Sequence, residues 1–204
     1  MKRLCVFWLA TITIALYAVL PPTSGGQPQQ QLTDVLSPAE AALREDTYGV
    51  YSAMLTDSVP LYLVQAVTVP VLASLPPQIC LPQTDARDLL TEIGQYRYSP
   101  ETLEAFFKTA KPVVLLNEME IGEFIAGFRG QPSQNPKFQG AKNLYRLTHV
   151  FFNQKRTMAI TQIGMSCGLL CGMGEWKIFE KTNGQWRPFQ RPASTPPCPR
   201  SWVN

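Results

Sequence analysis

The chain has 204 residues, with 18 Lys and Arg against 15 Asp and Glu, 45% hydrophobic and 10% aromatic residues, and five cysteines. Its near-zero mean hydropathy of −0.06 and ordinary charge content exclude a disordered tract, a fibrous repeat and a polytopic membrane protein. The net charge is +3, and setting aside Lys2 and Arg3 leaves 16 basic and 15 acidic side chains, a net of +1, which gives no global attraction to nucleic acid or anionic membrane.

Met1-Lys2-Arg3 precedes an apolar run from Leu4 to Leu20 that breaks at Pro21-Pro22-Thr23-Ser24-Gly25. This is the pattern of an export signal, with cleavage expected after Gly25 and residues 1–25 removed. An uncleaved segment of that length would act as an anchor, and only then is stable membrane insertion expected. Cys5 lies inside this segment, away from the cleavage site, so it is not a lipoprotein acceptor. A secreted or periplasmic location follows as the expectation. The mature chain holds 16 basic and 15 acidic groups, distributed unevenly: residues 26–123 carry 5 basic and 13 acidic side chains, residues 124–204 carry 11 and 2. Such halves can neutralise one another on docking.

Residues 26–36 are polar and Gln-rich and read as a flexible leader. Ser37-Pro38-Ala39-Glu40 is a capping box with proline at the first helical position, which predicts a helix to about Thr56 with Leu43, Tyr48, Tyr51, Met54 and Leu55 on its buried face. Leu61–Leu72 reads as a strand that Pro60 and Pro70 push toward a sheet edge. Asp85 is placed to cap a second helix with Leu89, Leu90, Ile93 and Tyr96. Ser99-Pro100 opens a third with Leu103, Phe106, Phe107 and Ala110. After a short buried strand, Val113–Leu116, the spacing of Ile121, Phe124, Ile125 and Phe128 predicts a further helix before Gly130.

Beyond Gly130 the pattern changes to strands. "NLYRLTHVFFNQKRTMAITQIGM" is two apolar runs about a polar turn, and "GEWKIFEKTNGQW" contains Asn183-Gly184, the dipeptide of a tight hairpin that sets Glu180 opposite Arg187. The expected fold is α+β, a helical N-terminal half packed on a C-terminal antiparallel meander of three to four strands, forming one domain over residues 37–190. The tail, residues 191–204, carries four prolines and is expected to run extended over the surface. The succession of "VFFNQKRTMAITQI", "CGLLCGMGEW" and "FEKTNGQW" resembles the C-terminal part of an uncharacterised family of secreted bacterial proteins, in which a strand leads to a Cys-Gly-rich turn and a Lys-x-Asn-Gly-x-Trp hairpin. The resemblance covers roughly residues 138–187. It implies the strand arrangement and no activity, and the chain departs from the family pattern at His149 and Phe151.

Chemistry concentrates in "SCGLLCGMGEW", residues 166–176. Gly164-Met165-Ser166-Cys167-Gly168 matches the G-x-S-x-G elbow of serine hydrolases, but an elbow opens a helix and has its histidine downstream, whereas glycines and a strand pattern follow here and the single histidine, His149, precedes it. With the hairpin turn centred on Gln154-Lys155, His149 is set opposite Ile160 and Cys167 opposite Lys142, about 23 Å of strand apart, too far for a nucleophile and its base. The same register groups His149 with Tyr145, Leu147, Phe151, Met158 and Ile160, as a histidine satisfied beside the core. Cys167 and Cys171 have no further zinc-knuckle ligands nearby, and although Cys80 and Cys198 could supply them, export argues for disulfides instead; the pair also lacks the C-x-x-C spacing of thioredoxin-like sites. In an exported chain the four mature cysteines are expected as two disulfides, Cys80–Cys198 and Cys167–Cys171, among three pairings that loop entropy does not separate.

Glu118, Glu120 and Glu123, interleaved with Ile121, Phe124 and Ile125, read as the solvated face of a helix rather than a glycosidase pair. Arg129, Lys137, Lys142, Arg146, Lys155 and Arg156, with Phe138 and Tyr145 among them, read as ordinary surface charge or, in an exported protein, a contact for acidic envelope glycan. No phosphate-binding glycine loop and no N-glycosylation sequon occurs, and neither a cofactor nor a metal is expected. The leading expectation is a non-catalytic module that binds a protein or envelope component through an apolar loop tip of Leu169, Leu170 and Met173. The alternative is an enzyme, either a thiol–disulfide oxidoreductase using Cys167 and Cys171 or a serine hydrolase using Ser166.

Overall fold

The computed structural model describes residues 36–56, 58–71, 83–130, 133–168, 171–190 and 201–203. The stretch expected as an export signal, the expected leader up to residue 35, Cys80, Cys198, Leu169 and Leu170 lie outside them. Among the described residues no helix is long and apolar enough to cross a membrane.

Among the described residues three α-helices, α1 (Pro38–Met54), α2 (Gln83–Gln95) and α3 (Glu118–Gly127), accompany β1 (Tyr62–Gln65), β2 (Val113–Leu116), β3 (Leu144–Leu147), β4 (Phe151–Phe152), β5 (Met158–Ser166), β6 (Gly172–Thr182), β7 (Gln185–Pro188) and β8 (Ser201–Val203). The strands form one curled mixed sheet in the order β2-β1-β3-β5-β6-β7, with β4 also on β5 and β8 also on β6. β1 runs parallel to both β2 and β3, and the remaining pairings are antiparallel.

This overturns the expected division into a helical half and a separate small meander. Two N-terminal strands are integral to the sheet, and three helices cover it. Two local misreadings lie behind the difference. β1 is interior rather than an edge, because it spans only four residues and both prolines fall outside it, leaving every ladder amide intact. The segment after Ser99-Pro100 is not helical. Its backbone pairs with the continuation of β1: Val67 bridges Thr102, Leu103 N–H donates to Ala66 O at 2.8 Å, and Thr68 N–H donates to Glu101 O at 3.0 Å. A long-range partner outcompeted local helix propensity. At the C-terminal end, Ser201–Val203 pairs with Met173–Glu175 as β8.

The capping boxes place two helices. Ser37 Oγ accepts from Glu40 N–H while Glu40 Oε2 accepts from Ser37 N–H, and Asn117 with Glu120 does the same for α3. α1 buries Tyr48, Val50, Tyr51 and Met54 on one sheet face, against Val64, Tyr145, Leu147, Phe152, Ile163, Phe179 and Trp186. The expected face thus forms except at Leu43, which is 46% exposed, while Asp46 is buried instead. α2 and α3 share the opposite face, α2 over Phe151, Met158, Ile160 and Trp176, α3 over Leu63, Leu116 and Leu144. Asp85 lies within the first turn of α2 and receives Asn153 Nδ2–H at 2.5 Å.

A one-residue phase change divides β3 from β4. Leu144 to Leu147 pair with Ser166 to Ile163, but Phe151 and Phe152 pair with Ile160 and Ala159, so Thr148 and His149 together stand opposite Gln162. This is a β-bulge, and it swaps which side chains face which side. Tyr145 and Leu147 therefore meet α1, whereas Phe151 meets α2. The single-faced grouping expected around His149 is corrected accordingly. The expected register was also short, because the turn is a longer loop built on Asn153: its Oδ1 accepts from Thr157 N–H at 2.8 Å and Met158 N–H at 3.0 Å. The β6–β7 turn is as the sequence suggests, with Asn183 and Gly184 at φ 52° and 75° and Glu180 opposite Arg187.

Candidate functional site

The motif 166–176 spans the end of β5, its turn and the start of β6. Cys167 and Cys171 are joined by a disulfide with Cα atoms 5.2 Å apart, and Cys167 N–H donates to Cys171 O at 2.9 Å, so the bridge closes the hairpin directly beyond the Ser166–Gly172 pair. Both thiols of the motif are consumed. Met173, next along β6, is 41% exposed.

Ser166 ends a strand and is followed by a second strand rather than a helix, which is the wrong setting for a nucleophile elbow. Its Oγ accepts from Arg146 Nη1–H at 2.8 Å. Arg146 Nε–H donates to Gln65 Oε1 at 3.3 Å, and Gln65 Nε2–H donates to Glu118 Oε1 at 3.2 Å. A polar strip thus crosses β5, β3, β1 and α3. Gly164 lies under it: a Cβ there would sit 3.7 Å from Arg146 Cβ.

His149 stands at the bulge, level with Gln162, so Cys167 is five residues further along β5. That is about 17 Å, shorter than the sequence register implied and still several times the reach of a general base. Its Nδ1 lies 2.6 Å from Glu101 Oε1, and its ring stacks on Tyr96 with centroids 4.7 Å apart. Phe151 meets the ring edge-on at 5.0 Å. Nearby, Glu92 Oε2 accepts from Phe152 N–H at 2.9 Å. Burial raises the Glu92 carboxyl above its ordinary value, against the lowering effects of that N–H and of His149. These groups tie α2 and the 97–104 segment to the bulge.

The remaining polar focus is Asp46. Its Oδ1 accepts from Trp186 Nε1–H at 3.0 Å and from Lys181 Nζ, and Arg156 Nη1 lies 3.6 Å from Oδ2. A cavity of about 520 Å³ opens beside it, walled by Glu45, Lys108, Lys181, Gln185 and Trp186.

Of the acidic and basic residues singled out from the sequence, Glu120, Glu123, Lys137, Arg146 and Arg156 are engaged across the two halves. Lys137 pairs with Glu120, while Glu123 accepts from Ser133 Oγ and from Asn135 Nδ2. These contacts lower the Glu120 and Glu123 carboxyls. Phe138 and Tyr145 are buried, so they are not interleaved with the cations on a surface. Four of the seven ion pairs among the described residues join the acidic half to the basic half. No group of three or more metal-ligating side chains occurs among the described residues.

Asp46, Glu101, Glu92 and Asn153 were not singled out by sequence. Each acts on a partner 48 or more residues away, and only the charge asymmetry of the halves signalled such pairing in advance. No protein-family model, curated protein or solved structure matches the chain.

Proposed function

We propose that the chain is an exported, non-catalytic binding module that contacts a protein or an envelope component through the disulfide-closed end of the β5–β6 hairpin. The observation that carries this reading is the Cys167–Cys171 bridge beside exposed Met173. It converts the most chemistry-rich stretch of the sequence into a covalently closed bend that presents side chains rather than thiols. Export is supported by the Met1–Gly25 pattern and by a disulfide, a bond that persists in oxidising compartments. A secreted or periplasmic bacterial setting is further supported by the family resemblance over residues 138–187. The serine hydrolase alternative is weaker because Ser166 is held by Arg146 at a strand end, and His149 is separated from it along β5.

The test is the double substitution Leu169→Ser/Leu170→Ser. The variant is expected to keep its urea unfolding midpoint and to lose co-sedimentation with purified envelope membranes or with an isolated partner. Unchanged co-sedimentation refutes the contact role. A collapse of the midpoint reassigns both leucines to packing.

A further inference from the structure

The part of the hairpin next to the bridge has few side chains to hold it. The final pairs are Gly164 with Gly174, Met165 with Met173 and Ser166 with Gly172. Glycine leaves a strand entropically costly to order and supplies nothing to pack, and strand register is weakly specified where one face lacks side chains. Further back the same hairpin pairs Ala159 with Phe179 and Ile160 with Ile178, all buried or nearly so. The glycine-poor end is thus pinned by the core and the glycine-rich end by the disulfide. The C-terminal strand β8 docks on that second end, with Val203, Trp202 and Ser201 opposite Met173, Gly174 and Glu175. The first of these positions lies two residues beyond Cys171.

We infer that the Cys167–Cys171 disulfide is a redox latch for the C-terminal strand: oxidised, it fixes the Gly172–Glu175 edge of β6 as a template for β8, and reduced, it releases both. Cys171 is exposed, which opens the bridge to thiol attack. In the step, a thiolate of a dithiol reductant bonds to one sulfur of the pair and the Cys167–Cys171 bond breaks. The reductant's second thiolate then displaces the remaining thiol and closes the reductant's own disulfide. Two electrons and two protons pass to the protein, and two free thiols result. With the ring open, β5 keeps its pairing to β3 and the Arg146–Ser166 bond, but Gly172 and Gly174 of β6 have main-chain bonds alone to resist fraying, and β8 loses its template. The core part of the sheet, held by α1 and α2, is unaffected. This inference stands on the register and the glycines, independently of what the hairpin end binds.

The experiment is native-state amide hydrogen exchange on the full mature chain in three states: oxidised, treated with a dithiol, and as the Cys167→Ser/Cys171→Ser variant. The variant removes this bridge alone, so any effect of the dithiol on other cysteines is separated. Amides of Met173–Glu175 and Ser201–Val203 are expected to lose protection by about tenfold or more in both altered states, while Ala159–Ile163 keep theirs. Unchanged protection at Ser201–Val203 overturns the latch. Loss of protection across the whole sheet in step also overturns it, showing a global staple instead.

Discussion

The indole Nε1–H of Trp186 donates to Asp46 Oδ1 over 3.0 Å, joining residues 140 apart in the chain. Asp46 is buried on α1 and Trp186 is buried on β7, so this bond fastens the first helix to the last hairpin. Lys181, directly opposite Trp186 in the ladder, donates to the same oxygen, and its ammonium lies 5.6 Å from the indole centroid. Removing the carboxylate strands an indole donor and two cations together.

Asp46→Ala is therefore expected to destabilise the fold by about 2 to 4 kcal/mol. Asp46→Asn keeps an acceptor for Trp186 and should cost roughly half as much. Urea denaturation midpoints of the two variants decide the matter. Equal losses would show that the charge, not the Trp186 hydrogen bond, dominates.

Gly49 makes the same contact possible from the helix side. A Cβ at this position would stand 2.7 Å from Trp186 Cδ1, inside any van der Waals limit. In an exposed helix, Gly→Ala stabilises by about 1 kcal/mol. Here Gly49→Ala is expected to destabilise by about 1 to 3 kcal/mol. Combining it with Trp186→Leu should recover part of the loss, a non-additivity that a double-mutant cycle on thermal melts measures.

Glu92 gives a pH dependence with a defined sign. Burial raises its carboxyl above the ordinary value of 4.5. Its stabilising contribution is thus full below the unfolded-state value and is lost as pH rises through the folded-state value. Glu92→Gln retains an acceptor for Phe152 N–H without the desolvated charge. The variant should match or exceed the parent near pH 7, by less than about 1 kcal/mol given partial solvent screening, and should lose that advantage toward pH 4. A parent that remains the more stable at both pH values would contradict this assignment.

With Cys167 and Cys171 joined, Cys80 and Cys198 are the two remaining cysteines beyond residue 25. A non-reducing peptide map should show a Cys80–Cys198 cross-linked peptide and no iodoacetamide labelling at any of these four cysteines. Label at Cys80 or Cys198 in freshly isolated protein would exclude the second bridge.

What was legible in the sequence was what short-range physics decides. The Ser37–Glu40 capping box, the Asn183–Gly184 turn with Glu180 opposite Arg187, and the Cys167–Cys171 closure each involve residues within a few positions of one another. The acid–base asymmetry of the halves is a bulk property that needs no register to be seen, and it reappears as ion pairs between them. The polar strip and the His149 anchor were not legible, because Arg146 meets Gln65 81 residues away and His149 meets Glu101 48 residues away.

The sequence by itself determined the α1 cap, the β6–β7 turn with its partners and the closed bend, since those minima lie within a few bonds of backbone and side chain. Only the tertiary structure decided that β1 would be an interior parallel strand, that residues 101–103 would pair with it instead of coiling, and that a bulge at Thr148 and His149 would turn Phe151 toward α2. Those outcomes are set by competition among distant partners for the same backbone groups and the same buried faces. The free energy of that competition does not exist until the chain has folded around it.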